Sequence, residues 1–438
     1  MRSRPAVPRA RRATGLTAAL TAVLAAVVGA GVSTGVSTAL AGPAAAVTRD
    51  PAVAVPTTRL LPVSGHGWGH GRGMSQNGAY GAAARYRLTS TQILAFYYPG
   101  TRATTLADRP LRVQLRSLEA AGGASGIDVE NPGTLALQDE ATGTVYAVPR
   151  STSARWRVQP TSAGLRVLYL RGTTWTAWRT VAGPLRLDAK HRASTHVLAP
   201  LDRRYTSTSI RVLQQRSASG KPLTRQTLVA RTRLESYLRG VVPLESPTSW
   251  PAAALQAQAV AARSYTVNKL DRVAKGAAYD ICDTTACQVY GGDSAFNART
   301  DEAIRATAGV VRTYGGKVIS AEFSAANGGW TTSGGVPYLP AKADPYDGAV
   351  PSASHAWAAT LSAAALERAY PTIGRLRSVQ VLTRDGRGEW GGRVLTVRLT
   401  GDRAARDVPG RDVYRAAAWP ADRTGLRSSW WTLGASSS

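Results

Sequence analysis

The sequence predicts an α+β fold, a mixed helix and antiparallel-sheet domain interrupted by an inserted β-rich region. Three observations predict it. Prolines at 243, 247 and 251 fix the backbone around Glu245, and the alanine-rich run after Pro251 is made of strong helix formers. Between residues 105 and 230, short segments such as 111–115, 144–148, 165–170 and 210–213 alternate apolar and polar residues between Gly, Pro and Asp, the pattern of strands. The 43 glycines and 24 prolines among 438 residues supply the turns such a fold needs.

Taken in order, residues 1–46 read as a secretory signal. Arg2, Arg4, Arg9, Arg11 and Arg12 precede an apolar run from about 16 to 32, and small residues follow. An uncleaved membrane anchor is the alternative, but Gly and Thr break the run. An exported protein is the expectation. Residues 47–62 read as a linker, the first part of a 47–104 segment that carries a glycine-rich element, 64–79 (SGHGWGHGRGMSQNGA). Its alternating glycines preclude a regular helix, so His66 and His70 are not a helical metal pair. Helices are expected to about Arg85 and over 89–97, with Thr89 or Ser90 as cap. Residues 105–204 form the β-rich region. His191 and His196 fall there without evident partners and are expected at the surface.

The segment 205–335 holds the elbow and the long helix. Thr248 or Ser249 is expected to cap that helix. Gln256, Val260, Arg263 and Val267 share one face, and Leu255, Ala259, Ala262 and Thr266 share another. Cys282 and Cys287 are the two cysteines of the chain. In an exported protein a local disulfide is the first reading, ahead of a zinc site, and no cofactor is expected. A helix at 298–307 and strands at 310–314 and 317–323 follow, then the turn Glu322-Phe-Ser324-Ala-Ala-Asn327-Gly-Gly. Residues 336–434 read as a long loop to 357, a helix and two strands, and the 435–438 tail as disordered.

The formal charge is +27; residues 1–46 carry five arginines and no acid, so their loss leaves +22. Nucleic acid is the reflex partner for such charge. It is set aside, because the arginines are dispersed and no nucleic-acid motif accompanies them. An anionic bacterial wall suits an exported basic protein better.

The run YLRGVVPLE at 237–245, followed by LQAQAVAARSY at 255–265, resembles the signature of the stage II sporulation protein D / LytB family, whose members act on bacterial peptidoglycan. Ser246 departs from the family's usual Met, at a position expected to serve packing. The glycine-rich element with YYPGT at 97–101 resembles a second family motif, and EFSAANGG at 322–329 a third. In the family the glycine-rich motif follows the glutamate region, whereas here it precedes it, as in a circular permutation. Residues 60–101 are therefore expected beside the C-terminal segment, where VYR at 413–415 and GLRSSWW at 425–431 also look family-like.

The resemblance implies that 205–335 is a catalytic core and that Glu245 is the single acid/base of a lytic transglycosylase. Such an enzyme protonates the bond between N-acetylmuramic acid and N-acetylglucosamine, then deprotonates the C6 hydroxyl that attacks intramolecularly. Retaining and inverting hydrolases instead need two carboxylates. Arg263, Gln288, Tyr290, Ser324, Asn327, His66, His70, Ser75 and Gln76 are candidate contacts to glycan. The other reading is a non-catalytic glycan-binding enhancer of a cell-wall amidase. A zinc hydrolase lacks a ligand set, since no HExxH is present.

Overall fold

The central helix, Ala252–Leu270, is buried on almost every side, which is how a helix without a polar face behaves. Ala254, Ala257 and Ala261 pack with Met74, Ala79, Ile93 and Tyr97, residues in or beside the helices Gln76–Arg85 and Ser90–Tyr97. Ala259, Ala262 and Val267 face a larger core shared with two sheets. The expected faces are divided differently: Ala259 and Ala262 share a core as expected, but Val267 joins them there while Val260 packs on the other side, and small side chains let each neighbour approach closely. The computed structural model describes residues 49–130, 135–147, 155–189, 195–206, 208–417 and 425–434. The expected signal and tail lie outside them, as does His191.

The first sheet has seven strands, in the order Ile281–Cys282, Pro110–Gln114, Pro222–Arg233, Ser209–Arg216, Leu185–Ala189, Leu135–Asp139 and Val145–Ala147. Every pairing is antiparallel except that of Ile281–Cys282 with Pro110–Gln114. A six-stranded antiparallel sheet, from Thr174–Val181 to Arg203–Thr206, packs with it over Trp156, Val158, Leu187, Ile210 and Leu228. The β-rich region is present, but one core runs across residues 204–205. Pro222–Arg233 leads directly into the helix Leu234–Arg239, so the inserted strands and the glutamate segment are one packing unit.

A second body of structure joins the two ends of the described chain. Val53–Ala54 pairs with Leu376–Arg384, in a sheet continued by Val394–Gly401 and Ala405–Pro409. Leu60–His66 is the middle strand between Ala356–Ser362 and Trp430–Leu433. The expected linker therefore carries two strands, the second of which runs on to His66. Its Leu61 and Val63 are buried with Val379, Val397 and Trp431. The sign of this was weak, because its partners lie some 300 residues away in sequence. His196 is likewise corrected: it sits on the strand Thr195–Ala199 with no exposed surface, and burial lowers its pKa to about 4. All described residues from 49 onward belong to one compact unit.

Candidate active site

Glu245 ends a short helix, Val242–Glu245, that Pro243 initiates. Ser246, buried as expected, and five further residues separate it from the central helix. That helix has Pro251 at its N-cap and no side-chain cap, so neither Thr248 nor Ser249 plays the expected part. The Glu245 carboxyl is half-buried. One oxygen accepts the Val289 N–H at 3.2 Å, and the other accepts from the Gln76 amide at 3.3 Å. Burial pushes its pKa up, against the smaller downward pull of those two bonds. A carboxyl raised this way holds a proton it can give to a leaving group.

Around Glu245 opens a cleft of about 1080 Å³. Four stretches distant in sequence build its walls. The glycine-rich element supplies Trp68, His70, Arg72 and Gln76; the central helix and the turn after it supply Tyr265, Lys269 and Arg272. The disulfide loop supplies Thr285, Ala286, Cys287 and Val289, and 320–325 supplies Glu322, Phe323 and Ser324. Tyr414 and Arg415 close it from the C-terminal side. Tyr265 lines the cleft with the carboxyl, and Trp250 stacks on Tyr80 at 4.9 Å.

The glycine-rich element reaches this position by lying flat on the turn that follows residue 322. Gly67, Gly69, Gly71 and Gly73 all have positive φ, and a Cβ at Gly73 would meet the Glu322 carbonyl at 2.0 Å. Met74–Ser75 pairs in parallel with Phe323–Ser324, and Trp68 bridges to Ala326. Beneath lie two buried aspartates. Asp347 accepts from the Ser75 hydroxyl and from the Asn327 and Gly328 N–H groups, and contacts His355 at 3.0 Å. Asp344 accepts from Tyr97 and from the Asn327 amide, each at 2.7 Å. No sequence pattern marked these aspartates, which fall in an aperiodic loop.

Of the nine expected glycan contacts, Gln76, His70 and Ser324 line the cleft with Glu245. His70 accepts the Arg72 N–H at its Nδ1, and its pKa is lowered to about 4, first by burial and then by the Arg72 charge. The ring keeps an exposed edge, so solvent moderates that shift, and it is neutral at neutral pH in either case. Ser324 accepts the Gly71 N–H.

The other six point elsewhere. Ser75 caps the helix Gln76–Arg85 and binds Asp347. Asn327 is buried on Asp344. Arg263 has no exposed surface and pairs with Glu235 at 2.7 Å. His66 contacts Glu389 at 2.7 Å between the rings of Trp390 and Trp430. Gln288 accepts from Tyr237 and Thr266, and Tyr290 packs on Tyr237. These last two flank Val289 and hold in place the amide that binds Glu245. A motif records a spacing, and adjacent positions of it fall on opposite sides of the chain.

Sequence reasoning missed Trp68, Arg72, Lys269 and Arg272. Lys269 was findable, since it follows Tyr265 at i+4 on one helical face, whereas Arg272 falls past the helix end. The cysteines form a disulfide, which shapes the cleft wall and leaves neither thiol free as a ligand. The other two carboxylates of the cleft are tied up: Glu322 by Arg72 at 2.5 Å and Asp280 by Arg112 at 2.5 Å.

Comparison with known proteins fits this geometry. Residues 223–314 match the family model described as stage II sporulation protein. Over 131 residues the chain is 43% identical to the amidase enhancer of Bacillus subtilis strain 168, covering 28% of this chain and 17% of that protein. Over 136 residues it is 35% identical to stage II sporulation protein D of Bacillus amyloliquefaciens, 26% of this chain and 39% of that one. The Bacillus subtilis stage II sporulation protein D is 30% identical over the same length. The matched regions thus span well under half of these relatives. No solved structure matches the chain. The segment matched by the family model contains Glu245, Val289 and the whole central helix, so the similarity to the stage II sporulation protein family falls on the site itself.

Proposed function

We propose that the protein is an exported lytic transglycosylase that cleaves peptidoglycan glycan strands with Glu245 as its one acid/base. The observation that carries this reading is the Glu245 carboxyl itself: half-buried in an open cleft, raised in pKa, and the cleft carboxyl that no cation holds. Protonated, it gives its proton to the glycosidic oxygen. As the carboxylate, it is stabilised by Val289 N–H and Gln76 and takes the proton of the attacking C6 hydroxyl. The same group serves both half-steps, so no second carboxylate is required. The rings of Trp68, Tyr265 and Tyr414 offer flat surfaces to sugars.

The similarity to a protein named amidase enhancer supports a second reading, in which the cleft binds glycan for a partner amidase. Mass spectrometry of products from residues 45–438 and from Glu245→Gln, each incubated with peptidoglycan and with peptide-free strands, separates the two. Anhydro ends made by the parent alone support the transglycosylase. Reducing ends mean a hydrolase. Binding without cleavage by either protein supports the enhancer.

A further inference from the structure

Four basic side chains reach the cleft: Arg72, Lys269, Arg272 and Arg415. Arg72 is held by Glu322, and Arg415 lies 3.7 Å from Asp412. Lys269 and Arg272 are exposed and, among the described residues, form no ion pair. Asp271, between them in sequence, turns to Arg109 at 2.7 Å. Asp280, also in the cleft, is taken by Arg112. The cleft therefore has two unanswered positive charges, and apart from Glu245 its carboxylates are already paired.

Tyr265 and Lys269 stand at i and i+4 on one face of the helix, and Arg272 follows in the turn just past its end, its N–H bonded to the Lys269 carbonyl. Tyr265 lines the cleft together with Glu245 and Glu322, and its ring lies 6.4 Å from that of Phe323. The Lys269 ammonium lies 5.5 Å from the Tyr265 ring centre. An aromatic ring and two cations thus line the same cleft as Glu245.

We infer that Lys269 and Arg272 bind carboxylates displayed along the glycan strand, so that the cleft selects acidic strands over uncharged amino-sugar polymers. The inference rests on the glycan reading above and names the feature of the strand that this cleft reads. Two sources of the carboxylate exist on such a polymer: the lactyl group of N-acetylmuramic acid and the stem peptides attached to it.

The test uses residues 45–438 carrying Glu245→Gln, so that strands are not consumed, with and without Lys269→Gln and Arg272→Gln. Both substituted side chains are exposed, and a melting curve checks that the fold is kept. Binding is measured to chitin oligosaccharides, to peptide-free glycan strands and to peptide-bearing strands. The double substitution is expected to weaken binding of acidic strands by about three- to tenfold, less so in high salt, and to leave chitin oligosaccharides unaffected. Loss already on peptide-free strands identifies the lactyl carboxylate, and loss on peptide-bearing strands alone identifies the stem peptide. Equal binding of acidic strands with and without the substitutions overturns the inference and leaves the glycan reading standing. Failure of every protein to bind any strand overturns both.

Discussion

Glu245 accepts two hydrogen bonds, and both favour its anion, yet burial outweighs them and pushes its pKa up. This has a consequence for stability. The folded chain holds the Glu245 proton more tightly than the unfolded chain does, so stability falls as pH rises from the unfolded pKa through the folded one. Glutamine has no proton to lose. Glu245→Gln is expected to be more stable than the parent at neutral pH, with the difference vanishing below about pH 4, under the ordinary glutamate value. Urea unfolding at both pH values checks this. Gln76 acts in the opposite sense to burial. Its removal in Gln76→Ala raises the Glu245 pKa further, so the limb of the pH–rate profile where the acid loses its proton moves to higher pH.

At the scale of elements, what was legible was local. The capping box of Thr89 and Gln92 starts Ser90–Tyr97, and Ala298–Ala306 and Val310–Tyr314 fall where their patterns place them, because caps and periodicity act over a few residues. The disulfide closes a span of only five residues. Illegible elements were those whose reason is distant. Leu60–His66 is a strand because residues 356–362 and 430–433 flank it. Asn327 and Ser75 look like binding residues but are fixed by Asp347, some 20 and 272 residues away. Asp347 is the joint between the glycine-rich element and the turn after Ser324. Asp347→Ala leaves its buried donors unanswered and is expected to cost roughly 3–5 kcal/mol, read by chemical denaturation.

For the whole molecule, the site is a product of assembly. Residues 76, 245, 289 and 322–324 meet because the glycine-rich strand crosses the turn while the chain ends pair in one sheet. The match to the family model ends at residue 314, short of half the cleft. A fragment of residues 205–335 would lack the helices Gln76–Arg85 and Ser90–Tyr97 that cover Ala254, Ala257 and Ala261. It would also lack the strand Pro110–Gln114, which pairs with Pro222–Arg233. Such a fragment is expected to show no cooperative thermal transition by circular dichroism, whereas residues 45–438 show one.

The claim on which the rest depends is that Glu245 holds its proton past the ordinary glutamate range. Carbon-13 NMR of chain labelled at glutamate carboxyls, titrated beside Glu245→Gln to assign the signal, measures it directly. The account predicts that the Glu245 resonance titrates above the usual value of about 4.3. Titration at or below that value would contradict it, and would leave the cleft without its proton donor.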